Sequence, residues 1–226
     1  MRLLLLGHGR MGKLVELVAP SYGAEIAGIV DEHSTIAGTD FGRVDCAIDF
    51  TLADAVPANL AQLAERRINV VIGTTGWQED ETALRQLAER SGIGVLAASN
   101  FSLGMNLFQL VVEEAARRFA AHDDFGAWIH ESHHIMKKDA PSGTAMTLQK
   151  GMEASGYKRG IDMSSTRAGS IPGTHVFGFD GPSETIELTH TVRDRAVFAR
   201  GALVAAKWLV GKRGWFSMRD MLNERP

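Results

Sequence analysis

The first hundred residues alternate short apolar runs with stretches of helical spacing, and this alternation constrains the fold more than any other feature. Five runs have the length and composition of strands, at residues 2–6, 24–31, 45–50, 69–75 and 94–100. The amphipathic segments between them have helical spacing, at residues 11–19, 52–67 and 79–92. Strands that alternate with helices in this way pair as a parallel sheet with crossover helices. The sequence therefore predicts an α/β fold built on a parallel sheet.

After residue 100 the pattern changes, which indicates a second domain. Further helices are expected at residues 106–122, 143–156, 199–211 and 216–222. The aromatic and β-branched content of residues 125–134 favours a strand, and residues 165–192 are typical of strands and turns. We predict one domain over residues 1–100 and a second over residues 101–192. The C-terminal helices, in residues 193–226, are expected to return to the first domain.

Composition and charge exclude several classes of protein. Acidic and basic residues are mixed along the chain and give a formal net charge of -3, so no positive surface for nucleic acid is expected. No apolar stretch approaches the ~20 residues that span a membrane, and the leucines at residues 3–6 are too few for a signal peptide. Cys46 is the single cysteine, so neither an internal disulfide nor a cysteine zinc cluster can form. We expect a soluble cytoplasmic protein with no nucleic-acid or membrane partner.

A glycine motif follows the first predicted strand: Gly7-His8-Gly9-Arg10-Met11-Gly12 has the form G-x-G-x-x-G. It opens a predicted helix, and the second predicted strand ends at Asp31, which is the context in which this motif binds dinucleotides. Gly7 would permit the tight turn, Gly9 the approach of a pyrophosphate, and Gly12 the packing of helix on strand. Asp31 would accept hydrogen bonds from the adenosine ribose. The alternative is a glycine turn that binds nothing.

Small and polar residues follow the fourth and fifth predicted strands. In an open parallel sheet, ligands bind beyond the carboxyl ends of the strands. The candidates for contacts with a nicotinamide or a ribose are Gly73, Thr74, Thr75, Ala98, Ser99, Asn100 and Phe101. The same residue types also form turns, so an interpretation as turns alone is equally consistent with the sequence.

The residues beside Asp31 indicate which dinucleotide is bound. A 2′-phosphate requires a positive charge next to it, commonly an arginine. Asp31 and Glu32 are both carboxylates and would repel that phosphate. We therefore expect NADH to be used at least as well as NADPH. The alternative is that Glu32 and His33 point to solvent and do not influence the choice.

Residues 130–134, His-Glu-Ser-His-His, match the zinc-protease pattern H-E-x-x-H. That pattern acts on a helix, which places both histidines on one face with the glutamate as general base. Here the flanking residues favour a strand, Pro141 follows closely, and the next histidine along the chain is His175. We interpret the match as accidental, and no metal is expected.

The same segment also fits anion binding combined with proton transfer. Ser142-Gly143-Thr144 begins a predicted helix, where free amides and hydroxyls suit a carboxylate. Lys137 adds a cation, and His133 and His134 are of the residue type that exchanges protons near neutral pH. Neighbours on a strand face opposite ways, so only one histidine need act. The set suits a small dicarboxylate that is reduced by hydride; the alternative is a solvated lysine pair beside a well-capped helix.

The stretch ESHHIMKKDAPSGTA, residues 131–145, is similar to the signature of the 4-hydroxy-tetrahydrodipicolinate reductase (dihydrodipicolinate reductase) family of the lysine pathway. Every fixed position of that signature is matched. Further motifs follow the family's order: GHGRMG (7–12), DFT (49–51), GTTG (73–76), NFSLGMN (100–106), RAGSIPGTHVF (167–177) and FARGALVAAKWL (198–209). The chain is therefore identified as a member of this family over its whole length.

The resemblance implies a Rossmann-like parallel-sheet N-terminal domain and a mixed α/β domain that binds substrate and builds a homotetramer. It implies NAD(P)H-dependent reduction of 4-hydroxy-tetrahydrodipicolinate, via dihydrodipicolinate, to tetrahydrodipicolinate. By position, His133 matches the catalytic histidine and Lys137 the proton-donating lysine; delivery of the proton by either, or by a water between them, stays open. Carboxylate contacts match His134, Gly143 and Thr144. Cofactor contacts match Gly7 to Gly12, Asp31, Gly73 to Thr75 and Ala98 to Phe101.

The chain departs from the family between Asp31 and Asp45, where the usual segment between the second and third strands is shortened. Glu32 and His33 stand where NADPH-using members often have a basic residue, which is a second reason to expect NADH. Two alternative functions remain. One is a different Rossmann oxidoreductase of amino-acid metabolism, which would have no reason to carry HHIMKKDAPSGT. The other is a non-catalytic NAD-binding regulator.

Overall fold

The computed structural model describes residues 1–224, which form two compact units. The first unit comprises Met1–Leu103 and the chain from Ala196 onward, and the second comprises Gly104–Arg195. The strands are β1 Arg2–Leu6, β2 Glu25–Val30, β3 Cys46–Asp49, β4 Val70–Ile72, β5 Gly94–Ala97, β6 Gly126–His133, β7 Ile161–Arg167, β8 Thr174–Asp180, β9 Thr185–Thr191 and β10 Gly214–Phe216. The α-helices are α1 Arg10–Val18, α2 Val56–Glu65, α3 Glu81–Ser91, α4 Leu103–Phe119, α5 Gly143–Ala154, α6 Ala196–Leu209 and α7 Met218–Asn223. Among the described residues, no helix is long and apolar enough to cross a membrane.

The first unit is built on a six-stranded sheet with the strand order β10-β5-β4-β3-β1-β2. All neighbouring strands run parallel, so the predicted parallel sheet is confirmed. β10 was not predicted, because its three residues are too few to show a pattern; it exists by pairing with β5. β4 and β5 end earlier than predicted, at Ile72 and Ala97, so the polar residues that follow them lie in loops.

β1 is buried on both faces, which explains its uninterrupted run of leucines. Leu3 and Leu5 pack in a core with Val15 of α1 and with the apolar face of α6. Leu4 and Leu6 point to the opposite face, where α2 and α3 complete a second core. Burying a leucine side chain contributes about 1.5–3 kcal/mol. Because α6 shares a core with α1, the C-terminal part of the chain is an integral part of the first unit.

The second unit is built on a four-stranded mixed sheet with the order β7-β6-β8-β9. β6 runs parallel to β7 and antiparallel to β8, and β8 is antiparallel to β9. Ala127 and Ile129 of β6 pack in a core with Val112 of α4 and Leu148 of α5. Glu131 takes the next position on the same buried face. The predicted fold class, a Rossmann-like parallel sheet plus a mixed α/β unit, is confirmed.

Candidate active site

The three glycines of the loop between β1 and α1 differ in how much space a side chain would have. Gly7 has a φ of 86°, which favours glycine, and a Cβ there would lie 2.5 Å from the Phe50 carbonyl oxygen. A Cβ on Gly12 would lie 2.0 Å from the carbonyl oxygen of Gly7. A Cβ on Gly9 would meet nothing within 4 Å. Gly7 and Gly12 are therefore required by the fold itself, whereas Gly9 leaves an open surface.

A cavity of about 680 Å³ lies beside this loop in the first unit. It is lined by Gly7, His8, Gly9, Lys13, Val30, Asp31, Glu32, His33, Ser34, Thr35, Ile36, Phe50, Thr51, Leu52, Ala55, Asn59 and Gln62. The strand order reverses at β1, which has β2 on one side and β3 on the other, and dinucleotides bind at such switch points. No side chain caps the start of α1, so its first amides face an open surface at Gly9. The cavity therefore fits an anionic dinucleotide.

Asp31 is exposed on the wall of this cavity. Its Oδ1 accepts hydrogen bonds from the backbone N–H of His33 at 3.0 Å and from the hydroxyl of Ser34 at 2.9 Å. These two bonds lower the pKa of Asp31. Glu32 and His33 also line the cavity, and their side chains are 86% and 83% exposed. Asp31 thus presents a fixed negative charge, whereas the side chains of its two neighbours extend into solvent, with His33 Nε2 3.5 Å from Glu32 Oε1.

The other residues of the glycine motif are placed in different ways. His8 Nε2 lies 2.7 Å from Glu16 Oε2, and Arg10 is exposed to solvent. Met11 packs against the hydrophobic core of the first unit. A contact between Met11 and a cofactor would therefore have to come from its backbone.

The loop after β4 is held by Asp49, a buried carboxylate for which no role was predicted from the sequence. Asp49 accepts hydrogen bonds from the N–H and hydroxyl of Thr51, at 2.9 and 2.6 Å, and from the side-chain amide of Asn59 at 3.0 Å. The hydroxyl of Thr74 adds a bond of 3.3 Å. The Thr74 hydroxyl is therefore engaged in the fold, while Thr75 is exposed.

Two aromatic rings determine which loop residues remain accessible. A Cβ on Gly73 would lie 2.1 Å from Cε1 of Phe50, and the Phe50 ring packs edge-on against Phe101. Phe101 is 2% exposed, so its side chain belongs to the core and only its backbone could reach a ligand. The accessible members of the second predicted loop are Ala98, Ser99 and Asn100.

The segment His130–His134 lies on β6 and in the turn after it, not on a helix. His130 faces away from the buried side and hydrogen bonds the hydroxyls of Ser164 and Ser132, at 2.8 and 3.0 Å. Glu131 and His133 share the opposite face. Among residues 1–224, no group of three or more His, Cys, Asp or Glu side chains could hold a metal ion. The H-E-x-x-H match therefore does not form the helical geometry of a zinc site.

Glu131 organises the site in the second unit, although no role for it was predicted from the sequence. Its fully buried carboxylate accepts two hydrogen bonds from Arg167, at 2.9 and 2.7 Å. His133 Nδ1 lies 2.5 Å from Oε2, and the backbone N–H of Ser142 donates to Oε1 at 3.2 Å. Burial alone would raise the pKa of Glu131, but the hydrogen bonds from Arg167, Ser165 and His133 outweigh it and lower the pKa to about 2. Glu131 is therefore ionised at neutral pH.

His133 has one ring nitrogen bound to Glu131 and one directed elsewhere. Because Nδ1 faces a carboxylate, it carries the proton, and Nε2 carries the lone pair of the neutral ring. Burial lowers the pKa of His133; Glu131 opposes this effect, and the charges of Lys137 and Arg167 add to it. A Cβ on Gly173 would lie 3.1 Å from Nε2, so the absence of a side chain there leaves room beside this nitrogen.

Lys137 and the start of α5 converge on one carboxylate, that of Asp139. Lys137 Nζ donates to both carboxylate oxygens, at 2.7 and 2.8 Å, and this bond lowers the pKa of Asp139. The backbone N–H of Gly143 donates to Asp139 Oδ2 at 3.3 Å. His134 lies in the same turn, where its carbonyl oxygen accepts from the N–H of Lys137 at 3.1 Å. Lys137 and Gly143, which were predicted to bind a substrate carboxylate, thus both donate to the carboxylate of Asp139.

Ser142 begins α5, as predicted. Its buried hydroxyl accepts a hydrogen bond from the N–H of Ala145 at 3.2 Å and lies 3.2 Å from His175 Nε2. Burial lowers the pKa of His175 to about 4, with a smaller electrostatic contribution from the neighbouring His133. The Ser142 hydroxyl is therefore committed to the helix start, while Gly143 is exposed and Thr144 half-buried.

Four residues of this site were missed: Glu131, Asp139, Arg167 and His175. All four lie in the two motifs ESHHIMKKDAPSGTA and RAGSIPGTHVF. A signal for Glu131 was present, because it follows Ala127 and Ile129 at the period of two that defines the buried face of a strand. A carboxylate in such a position requires a cation, and Arg167 supplies it.

Comparisons with known proteins cover nearly the whole chain. The family model described as "Dihydrodipicolinate reductase, N-terminus" matches residues 1–101, and "Dihydrodipicolinate reductase, C-terminus" matches residues 104–222. A 4-hydroxy-tetrahydrodipicolinate reductase of Christiangramia forsetii is 34% identical over 235 residues, covering 99% of this chain and 98% of that protein. One of Xanthomonas axonopodis pv. citri is 40% identical over 230 residues, covering 95% and 94%.

Solved structures show the same fold. A dipicolinate-bound dihydrodipicolinate reductase from Paenisporosarcina sp. TG-14 has a TM-score of 0.81 at 20% identity, covering 96% of this chain and 97% of its own. A probable dehydrogenase from Thermotoga maritima has a TM-score of 0.63 at 9% identity, covering 97% and 92%. From the family models and the sequence relatives together, the chain belongs to the dihydrodipicolinate reductase family.

Proposed function

We propose that this chain catalyses the NAD(P)H-dependent reduction of 4-hydroxy-tetrahydrodipicolinate, via dihydrodipicolinate, to tetrahydrodipicolinate in lysine and diaminopimelate biosynthesis. The relatives named above are reductases of this substrate by name. The observation that carries the proposal is the convergence of Lys137 Nζ and the Gly143 N–H on a carboxylate, within a segment that also holds His133. An anion site beside a proton-exchanging group is what a dicarboxylate imine requires.

The proposed cofactor site is the cavity of the first unit. The amides at the start of α1 and the open surface at Gly9 would hold the pyrophosphate, and Asp31 would bind the adenosine ribose. Bound there, NADH or NADPH supplies the hydride for the reduction. Thr75, Ala98, Ser99 and Asn100 are the proposed contacts for the nicotinamide end, since they are the accessible residues beyond β4 and β5.

We propose that NADH is used at least as well as NADPH. Asp31 holds a fixed negative charge in the cavity, and Glu32 adds a second one nearby. A 2′-phosphate would be repelled by both. Lys13 and His33, which are basic residue types, also line this cavity. The measurement that tests the proposal is therefore a comparison of kcat/KM for NADH and NADPH under identical conditions. A strong preference for NADPH would contradict the proposal.

The substrate is proposed to bind through its carboxylates at the start of α5. Lys137 and the amides of Gly143 and Thr144 would take one carboxylate in place of Asp139, and His134 would add a further contact. The Paenisporosarcina relative is described as dipicolinate-bound. Dipicolinate is pyridine-2,6-dicarboxylate, so calorimetry with this compound is a direct binding test.

Reduction of the ring adds one hydride and one proton. The neutral His133 ring carries a lone pair on Nε2, which suits it to accept or relay a proton. The Lys137 ammonium carries protons and is the acidic group of the pair. We therefore propose delivery from Lys137, directly or through a water or His133.

Alanine variants test these assignments. His133→Ala and Lys137→Ala should each lower kcat by about 10²–10⁴-fold, the usual contribution of a proton-transfer group. Lys138→Ala is the matched control, since Lys138 is exposed and adjacent, and it should leave kcat unchanged. His134→Ala should mainly raise KM. The assay follows NADH oxidation, with substrate generated by the upstream synthase from pyruvate and aspartate semialdehyde.

The same assay separates the alternative functions. Near-wild-type kcat in both His133→Ala and Lys137→Ala would overturn the catalytic assignment. NADH binding without turnover of any such substrate would indicate a regulator, and turnover of a different amino-acid-derived substrate would indicate another oxidoreductase.

We also propose that the protein is a cytoplasmic homotetramer. The resemblance supports the tetramer, and so does β9, an edge strand whose residues are mostly exposed, with Ile186 at 43%. An exposed edge strand with an apolar residue suits pairing with a second copy. Light scattering coupled to size-exclusion chromatography would test this; a monomer or a dimer would contradict it.

A further inference from the structure

Four hydrogen-bond donors surround the Glu131 carboxylate, and the hydroxyl of Ser165 on the neighbouring strand also helps to lower its pKa. Oε1 accepts from Arg167 Nη2 and from the backbone N–H of Ser142, and Oε2 accepts from Arg167 Nη1 and His133 Nδ1. Each oxygen therefore has two partners, inside a site where the side chain has no exposed surface. A carboxylate is the one common side-chain group that can accept from four directions and donate to none.

Of these four donors, only His133 is able to exchange roles. A guanidinium and a backbone amide have no lone pair to offer, whereas an imidazole nitrogen can be donor or acceptor. The ionised Glu131 therefore selects the tautomer of the neutral ring, with the proton on Nδ1 and the lone pair on Nε2. Nε2 is also the nitrogen with room beside it, next to Gly173.

The same carboxylate connects three segments of the second unit. His133 lies at the end of β6, Arg167 at the end of β7, and Ser142 at the start of α5. Arg167 Nη2 also donates to the carbonyl oxygen of Asp139 at 2.5 Å, so the loop between Lys137 and α5 is attached to the same pair. A displacement of Glu131 would therefore alter both the histidine and the carboxylate-binding amides.

We propose that Glu131 is a positioning residue for the reduction, which fixes the His133 tautomer and aligns that ring with the amides at the start of α5. The inference rests on the proposed function. The other possible interpretation is an ion pair with Arg167 that stabilises the fold and has no influence on the chemistry of His133.

The variant Glu131→Gln distinguishes the positioning role from the purely structural one. Its side-chain NH2 group is itself a donor, and it must face groups that now donate to the carboxylate. In the Oε1 position it would oppose Arg167 and the Ser142 N–H, which are both obligate donors. In the Oε2 position it would oppose Arg167 and His133, and His133 can adapt by moving its proton to Nε2. The glutamine should therefore place its nitrogen beside His133 and invert the tautomer.

The experiment combines kinetics with ¹H–¹⁵N correlation spectra of the histidine side chains in the full chain, with His133 assigned by its absence in His133→Ala. We expect the Nδ1–H form in the wild type and the Nε2–H form in Glu131→Gln. We also expect kcat to fall at least ~10-fold, since a misplaced proton removes part of a proton-transfer contribution, while KM for NADH stays unchanged. Glu153→Gln, on the exposed face of α5, is the matched control and should change neither.

Two further measurements keep the proposal testable if Glu131→Gln does not fold. The wild-type spectrum stands alone: an Nε2–H tautomer there would overturn the proposal. Arg167→Met keeps the Glu131–His133 bond and removes the ion pair, so it should keep the Nδ1–H form; loss of that form would overturn the proposal as well. If the wild type is active and a folded Glu131→Gln variant is equally active, this inference alone is overturned. If the wild type shows no turnover, the proposed function is overturned.

Discussion

Alanine substitutions at Gly9 and Gly12 should affect cofactor affinity and protein stability separately. In Gly9→Ala, the new carbon would have no protein atom within 4 Å, and the φ of -74° is one that alanine adopts readily. The lower backbone entropy of the unfolded alanine chain and the slightly poorer N-cap roughly cancel, so the free energy of unfolding should stay within about 1 kcal/mol of wild type. The methyl group would, however, stand where a pyrophosphate approaches the backbone. We expect the Kd of NADH to rise at least ~10-fold, or about 1.4 kcal/mol.

Gly12→Ala should do the reverse. Its Cβ would lie 2.0 Å from the Gly7 carbonyl oxygen, far inside van der Waals contact, so α1 would have to move away from β1. Overpacking of this kind costs about 3 kcal/mol or more. Urea denaturation gives the unfolding free energy of both variants, and fluorescence titration gives the Kd of NADH. Wild-type NADH affinity in Gly9→Ala, or wild-type stability in Gly12→Ala, would refute the reasoning.

Three further predictions concern the rest of the chain. Asp139→Asn should tighten pyridine-2,6-dicarboxylate binding several-fold in calorimetry, because the carboxylate that now occupies Lys137 and the Gly143 N–H is neutralised; unchanged or weaker binding would contradict this. His175 has a folded-state pKa of about 4, below its unfolded value, so its contribution to stability is present above pH 6.5 and is lost as pH falls toward 4. His175→Gln should therefore reduce the pH slope of the unfolding free energy in that window, by up to about 1.4 kcal/mol per pH unit; an unchanged slope would argue against the burial effect. Gly201→Ala would put a Cβ 1.6 Å from the Phe101 carbonyl oxygen, so it should yield unfolded or insoluble protein, and a melting temperature near wild type would contradict the packing of α6.

Features that depend on residues close together in the chain could be predicted from the sequence. The parallel strands were visible because each is a short apolar run between helical segments, and Ser142 was recognisable as the start of α5 from its residue type. The environment of Glu131 could not be predicted in the same way, because its burial depends on Arg167, which approaches from a neighbouring strand. The packing of Phe101 against Phe50 and Gly201, and the contact of the Ser142 hydroxyl with His175, likewise depend on partners far along the chain.

The return of the chain to the first unit has a consequence for its synthesis. The face of the sheet that carries Leu3 and Leu5 is covered by α6, and β10 completes the sheet edge only at residues 214–216. On the ribosome, the first hundred residues would therefore lack the α6 part of their core while Gly104–Arg195, a compact unit of its own, is already synthesised. The segment that is synthesised first is therefore completed last, when α6 and β10 have left the ribosome.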